Sequence, residues 1–72
     1  MSFSQLTELY ARRAREFADA VALLGRCRDI GPEVVALMQE IRRRRGLCFE
    51  AAEALERYMQ DSKAMSDAQS AP

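Results

Sequence analysis

Seven arginines stand in two clusters, Arg12-Arg13 with Arg15 and the run Arg42-Arg43-Arg44-Arg45, and no other residues of this 72-residue chain are better placed to do chemistry. A guanidinium is a permanently charged fork of donors, so the chemistry on offer is the holding of carboxylate or phosphate groups. Arg12, Arg13, Arg15, Arg42, Arg43 and Arg44 therefore form a candidate patch for an anionic partner. Three readings are open. The arginines can be a solvated face neutralised by acids at helical spacing, as in Arg12–Glu16, Arg15–Asp19 and Glu53–Arg57. They can also dock an acidic protein surface, or bind nucleic acid. Four consecutive residues on a helix point to every side instead of lining one groove, which weakens the nucleic-acid reading.

Nothing else resembles a reaction centre. The chain has no His, no Cys pair at metal-ligand spacing, no glycine-rich phosphate loop and no nucleophile motif. Glu50, Glu53 and Glu56 are spaced like one wet face of a helix. We expect no catalytic residue, no metal and no cofactor, and hence no enzyme. Cys27 and Cys48 do not suit a disulfide, because the expected helices separate them by on the order of 20 Å, against the roughly 4.4–6.8 Å between Cα atoms that a bridge needs. They read as free thiols packed among apolar neighbours in a reducing cytoplasm.

These residues need elements to hold them, and the composition says helices. Apolar residues make up 49% of the chain, with no Trp and much of the share in Ala. Ala and Arg are strong helix formers. The formal net charge is zero, but its distribution is uneven. Residues 12–45 carry nine Arg against five acids, and residues 46–72 carry five acids against two cations. No apolar run nears the roughly 20 residues of a membrane span, and no signal-peptide core precedes the first helix. A cytoplasmic protein is expected.

After Gly31-Pro32, the residues Val34, Met38, Ile41, Cys48, Ala52, Leu55 and Met59 recur at steps of four and three, interrupted only by Arg45. Such steps keep one stripe of a helix in phase. Phe3, Tyr10, Ala14, Phe17, Val21 and Leu24 repeat the rhythm before the corner. The expected fold is all-α, an antiparallel two-helix hairpin with helices over about 4–28 and 32–61. Residues 1–61 form the domain and 62–72 a flexible tail. Ser2 or Ser4 caps the first helix, and Arg26 and Arg28 fall in its last turn. Gly31 turns left-handed or caps the second helix, Pro32 starts it, and Ile30 and Val35 stand at staple spacing. Phase is kept across Gly46, which argues for one continuous second helix, although a break there would allow a three-helix bundle. Folding about the corner pairs residues whose numbers sum to about 62, placing Phe17 against Arg45, Ala14 against Cys48 and Phe3 against Met59.

A second apolar stripe is left beside that seam. Leu6, Leu9, Ala20, Leu23 and Cys27 carry it on the first helix, and Leu37, Leu47, Ala51, Ala54 and Tyr58 on the second, with Phe49 on the other flank. Two helices cannot bury both stripes, so something must cover the remainder. The candidate partner interface is Leu6, Leu9, Leu23, Cys27, Leu37, Leu47, Phe49, Ala51 and Tyr58. Its occupant is another protein or a second copy of the chain, as in a four-helix bundle.

Over residues 4–60, the two amphipathic helices, the Gly-bearing corner and the closing helix Phe49-Glu50-Ala51-Ala52-Glu53-Ala54-Leu55-Glu56-Arg57-Tyr58 resemble the E-type (YscE/PscE-like) co-chaperones of type III secretion needles. That resemblance implies a cytosolic co-chaperone that pairs with a tetratricopeptide-like chaperone to keep the needle subunit soluble. It transfers no functional residue. The competing reading is a homo-oligomeric regulator that binds nucleic acid through the arginines.

Overall fold

A computed structural model describes the backbone of residues 1–70 and the side chains of residues 1–63. Two helices pack side by side, α1 over Phe3–Leu24 and α2 over Pro32–Ser70, with no strand among the described residues. The result is a rod of 64 × 16 × 16 Å. The all-α antiparallel hairpin read from the sequence is the fold.

Each helix end has a local cause. Ser2 caps α1. Its Oγ accepts from the Gln5 N–H at 3.2 Å, while Gln5 Oε1 accepts from the Ser2 N–H at 2.8 Å. This reciprocal box satisfies two of the donors that a helix start leaves unpaired. α1 stops at Leu24, four residues short of the expected end. Gly25 takes the C-cap, and the chain tightens there, with the Arg26 and Cys27 N–H groups donating to Leu23 and Leu24 carbonyls at 3.1 Å. Glycine's low helix propensity is the stop signal at this point. Arg26 and Arg28 consequently lie in the connection, outside the last turn of the helix.

At the corner Gly31 caps α2, its carbonyl accepting from Val34 and Val35 at 3.0 and 3.2 Å. No described residue has a positive φ, so the left-handed alternative for Gly31 is not taken. The staple between Ile30 and Val35 does not form either: Ile30 is 94% exposed and Val35 is also exposed. With the connection lengthened to seven residues, Ile30 is carried away from the helix it was expected to clamp. Beyond it α2 runs unbroken through Gly46, so no third helix folds back there. α2 also continues past the expected end at 61. The expected flexible tail falls, from residue 64 for side chains and from 71 for the backbone, outside the described residues.

The seam is turned from the expected one by about half of the step between successive residues on each helix. Leu6, Ala20, Ile41 and Ala51 are its buried members, with Leu9, Phe17, Leu24, Val34, Leu37, Cys48 and Leu55 half-buried beside them. Ala20 is 0% exposed. Alanine at the contact lets the backbones approach closely, so the pairing runs along Ala20 and Ala51 and leaves the bulky Tyr10 and Phe49 to one side. The register is nearly the expected one. The rings of Phe3 and Tyr58 meet with centroids 6.1 Å apart, closing the open end of the hairpin.

Gly46 lies on the surface of α2, where an added Cβ would meet nothing within 4 Å. Gly46→Ala therefore removes a backbone-entropy cost without a clash, and should stabilise the hairpin by about 1 kcal/mol, read as a higher melting temperature by circular dichroism. An unchanged or lower melting temperature would show that the helix needs its glycine.

Candidate partner-binding surface

The turn of the seam decides which apolar residues remain outside. Leu6 and Ala51, expected on the partner-facing stripe, are buried between the helices, and Leu9, Leu37 and Leu47 are half-buried at its edge. Leu23, Cys27 and Tyr58 of that stripe are exposed, and so is Phe49 on the other flank. In exchange, Tyr10, Phe17, Cys48 and Ala52, expected inside, now line an open groove on the other flank with Phe49. Arg45, Glu53 and Glu56 stand on the same groove. Phe49 is the most prominent side chain of that flank, at 62% exposure. Phe3, Val21 and Met59 add further exposed apolar surface to the hairpin.

The sequence missed this flank because Tyr10 and Phe17 kept the seam rhythm as well as the true seam residues do. The signal that separates the two stripes is side-chain size. Ala20 and Ala51 permit close packing and the aromatic residues do not.

The arginines divide. Arg44, not Arg45, is the seam cation: its Nη1 donates to the Glu16 carbonyl of α1 at 2.8 Å, and its Nε donates to Glu40 Oε1 at 2.8 Å. Arg43 grips Glu40 through Nε at 3.0 Å and through Nη2. Arg13 lies 3.5 Å from Glu16. The ion pairs expected at Arg12–Glu16, Arg15–Asp19 and Glu53–Arg57 are not formed among the described residues; acids pair instead with Arg13, Arg43 and Arg44. Arg12, Arg15, Arg42 and Arg45 have no acid within 4.0 Å among those residues. The structure does not gather the seven into one surface.

Glu40 is where this network concentrates. Hydrogen bonds from Arg43 and Arg44 lower its pKa from 4.5 to about 2, with their positive charge adding to the effect. Near the corner, Arg26, Arg28, Asp29 and Glu33 surround a shallow pocket beside Cys27, whose Sγ donates to the Leu23 carbonyl at 3.5 Å. Both cysteines are free. Among the described residues, no group of three His, Cys, Asp or Glu is placed to hold a metal ion. No described helix is long and apolar enough to cross a membrane.

Compared with known proteins, the chain matches no family model, no curated protein and no solved structure.

A carboxylate whose pKa is depressed in the folded state stabilises that state fully above its unfolded pKa and loses the contribution as pH falls through the folded one. For Glu40 that window runs from 4.5 down to about 2. Glu40→Gln should lower the melting temperature at neutral pH, and its deficit against the parent should close across this window. A deficit that stays constant with pH would mean the Arg43–Glu40–Arg44 cluster contributes nothing through charge.

Proposed function

We propose that the protein is a small helical binding module, which works by laying the flank of Tyr10, Phe17, Phe49 and Ala52 against an amphipathic helix of another chain. One observation carries this reading. Among the described residues the hairpin buries only Leu6, Ala20, Ile41 and Ala51, while Phe49 and its neighbours form an aromatic-lined groove open to water. Apolar strips of this kind, bordered by charge, are typical of helix-in-groove recognition. Aromatic side chains also supply most of the binding energy in such contacts.

The resemblance to the E-type co-chaperones gives the reading its specific form. The partner would then be a tetratricopeptide-like chaperone, and the two together would keep a type III secretion needle subunit from polymerising in the cytosol. Size and helical layout support that form, and so does a fold too thin to cover its own apolar side chains. The nucleic-acid alternative has less to stand on. Arg13, Arg43 and Arg44 are occupied by Glu16 and Glu40, so the two clusters do not act as one block of seven open cations.

Phe49→Glu tests the flank without touching the seam. Co-expressed with a needle subunit and its tetratricopeptide-like chaperone, the parent should elute as one stoichiometric complex by size exclusion with light scattering. Phe49→Glu should lose it, with binding weakened at least about 30-fold, as for a central aromatic anchor worth 2 kcal/mol or more. Helicity by circular dichroism should stay at the parent level. A parent that binds neither protein would overturn the co-chaperone form, and a variant that binds like the parent would overturn the flank.

A further inference from the structure

The flank around Phe49 carries a charge pattern with its own symmetry. Arg45 stands four residues before Phe49 and Glu53 four after it; Arg42 stands seven before and Glu56 seven after. Steps of four and seven return to the same side of a helix, so the five residues share one stripe of α2 within roughly 80° of arc. All five are exposed. None of the four charged residues has an opposite charge within 4.0 Å among the described residues. Gly46 and Ala52, three residues to either side of Phe49, are the small positions next to it, and Gly46 leaves open space.

We propose that the occupant of this flank in the free protein is a second copy of the chain, with the two α2 helices antiparallel and related by a two-fold axis through Phe49. The inference rests on the reading of the flank as a binding surface and names what covers it. Antiparallel pairing about Phe49 brings Arg42 and Arg45 of each chain against Glu53 and Glu56 of the partner subunit, on both sides of the axis. The two Phe49 rings meet at the axis, in the room left by Gly46. Parallel pairing is disfavoured by the same residues, since arginine would face arginine and glutamate would face glutamate. A two-fold contact uses one patch twice, so it must be self-complementary. A stripe ordered as two cations, one aromatic anchor and two anions meets that requirement. An unrelated partner would not require the equal spacing on either side of Phe49.

Charge reversal in halves tests the pairing. R42E/R45E makes the stripe wholly acidic and E53R/E56R makes it wholly basic, and neither change touches the seam. By analytical ultracentrifugation, the parent should be a dimer. Each double variant should dissociate at least about tenfold more readily, the range expected from turning several exposed attractions into repulsions. An equimolar mixture of the two should form a one-to-one heterodimer, because every contact is attractive again, and the quadruple variant should recover the homodimer. Circular dichroism on each variant checks that helicity is kept. A monomeric parent, double variants that dimerise like the parent, or a mixture that stays dissociated would each overturn the second-copy arrangement. If the arrangement falls while Phe49→Glu still abolishes the complex with the needle-subunit proteins, the flank remains a binding surface and only its occupant in the free protein changes.

Discussion

Two helices share a single face, and that constraint governs everything else in the hairpin. A side chain between them has neighbours ahead and behind but water above and below, so among the described residues no large side chain becomes fully buried. The interface accordingly favours close approach over bulk. Ala20 and Ala51 bring the helices together, and Leu6 and Ile41 fill the spaces left along the seam. Whatever is too large for that approach must lie beside it. The exposed aromatic flank is therefore the consequence of a thin seam, not a separate feature added to it.

A thin seam leaves the relative rotation of the helices weakly determined by apolar packing alone, and a polar contact reinforces it. Arg44 reaches across to the Glu16 carbonyl while Glu40 holds the other edge of its guanidinium. This geometry needs Arg44 on the seam and Arg45 on the flank. Exchanging them would turn α2 by one residue step, which would put Phe49 in the seam position of Cys48 and move Cys48 out to the edge now held by Leu47. The hydrogen bond to α1 and the packing at Ala20 thus select the same rotation. Glu40 is half-exposed, so its contribution is to orient Arg44 more than to add a strong ion pair.

The hairpin, its corner and its near register were legible in the sequence because they depend on features that act locally. Ser2 with Gln5, Gly31 with Pro32 and the four-three rhythm each state their structural consequence within a few residues. Continuity through Gly46 was legible for the same reason, since the rhythm keeps phase there. The choice between neighbouring stripes was not. Leu6 and Tyr10 lie close together on α1, as do Arg44 and Arg45 on α2, and hydrophobicity alone gives no preference within either pair. The choice is made by tertiary fit, through the size of Ala20 and Ala51 and the carbonyl that Arg44 finds on α1. The early end of α1 escaped for a related reason: Arg26 and Arg28 suit a helix end electrostatically, but Gly25 had already ended it.

The uneven charge of the chain takes its meaning from that rotation. With Arg44 drawn into the seam and Arg43 bound to Glu40, the run of four arginines no longer acts as a block. Arg42 and Arg45 are the two left on the Phe49 side, and they face outward at the spacing of Glu53 and Glu56 beyond it. A run that looks in sequence like a nonspecific basic patch becomes half of a dipolar stripe. Such a stripe has one favourable partner orientation, in which its ends are reversed. In the proposed pairing, apolar area around Phe49 would supply attraction to many helices, and the ordered charges would restrict which of them fit and in which direction. By deciding which arginines it consumes, the seam fixes the charge pattern that the open flank presents.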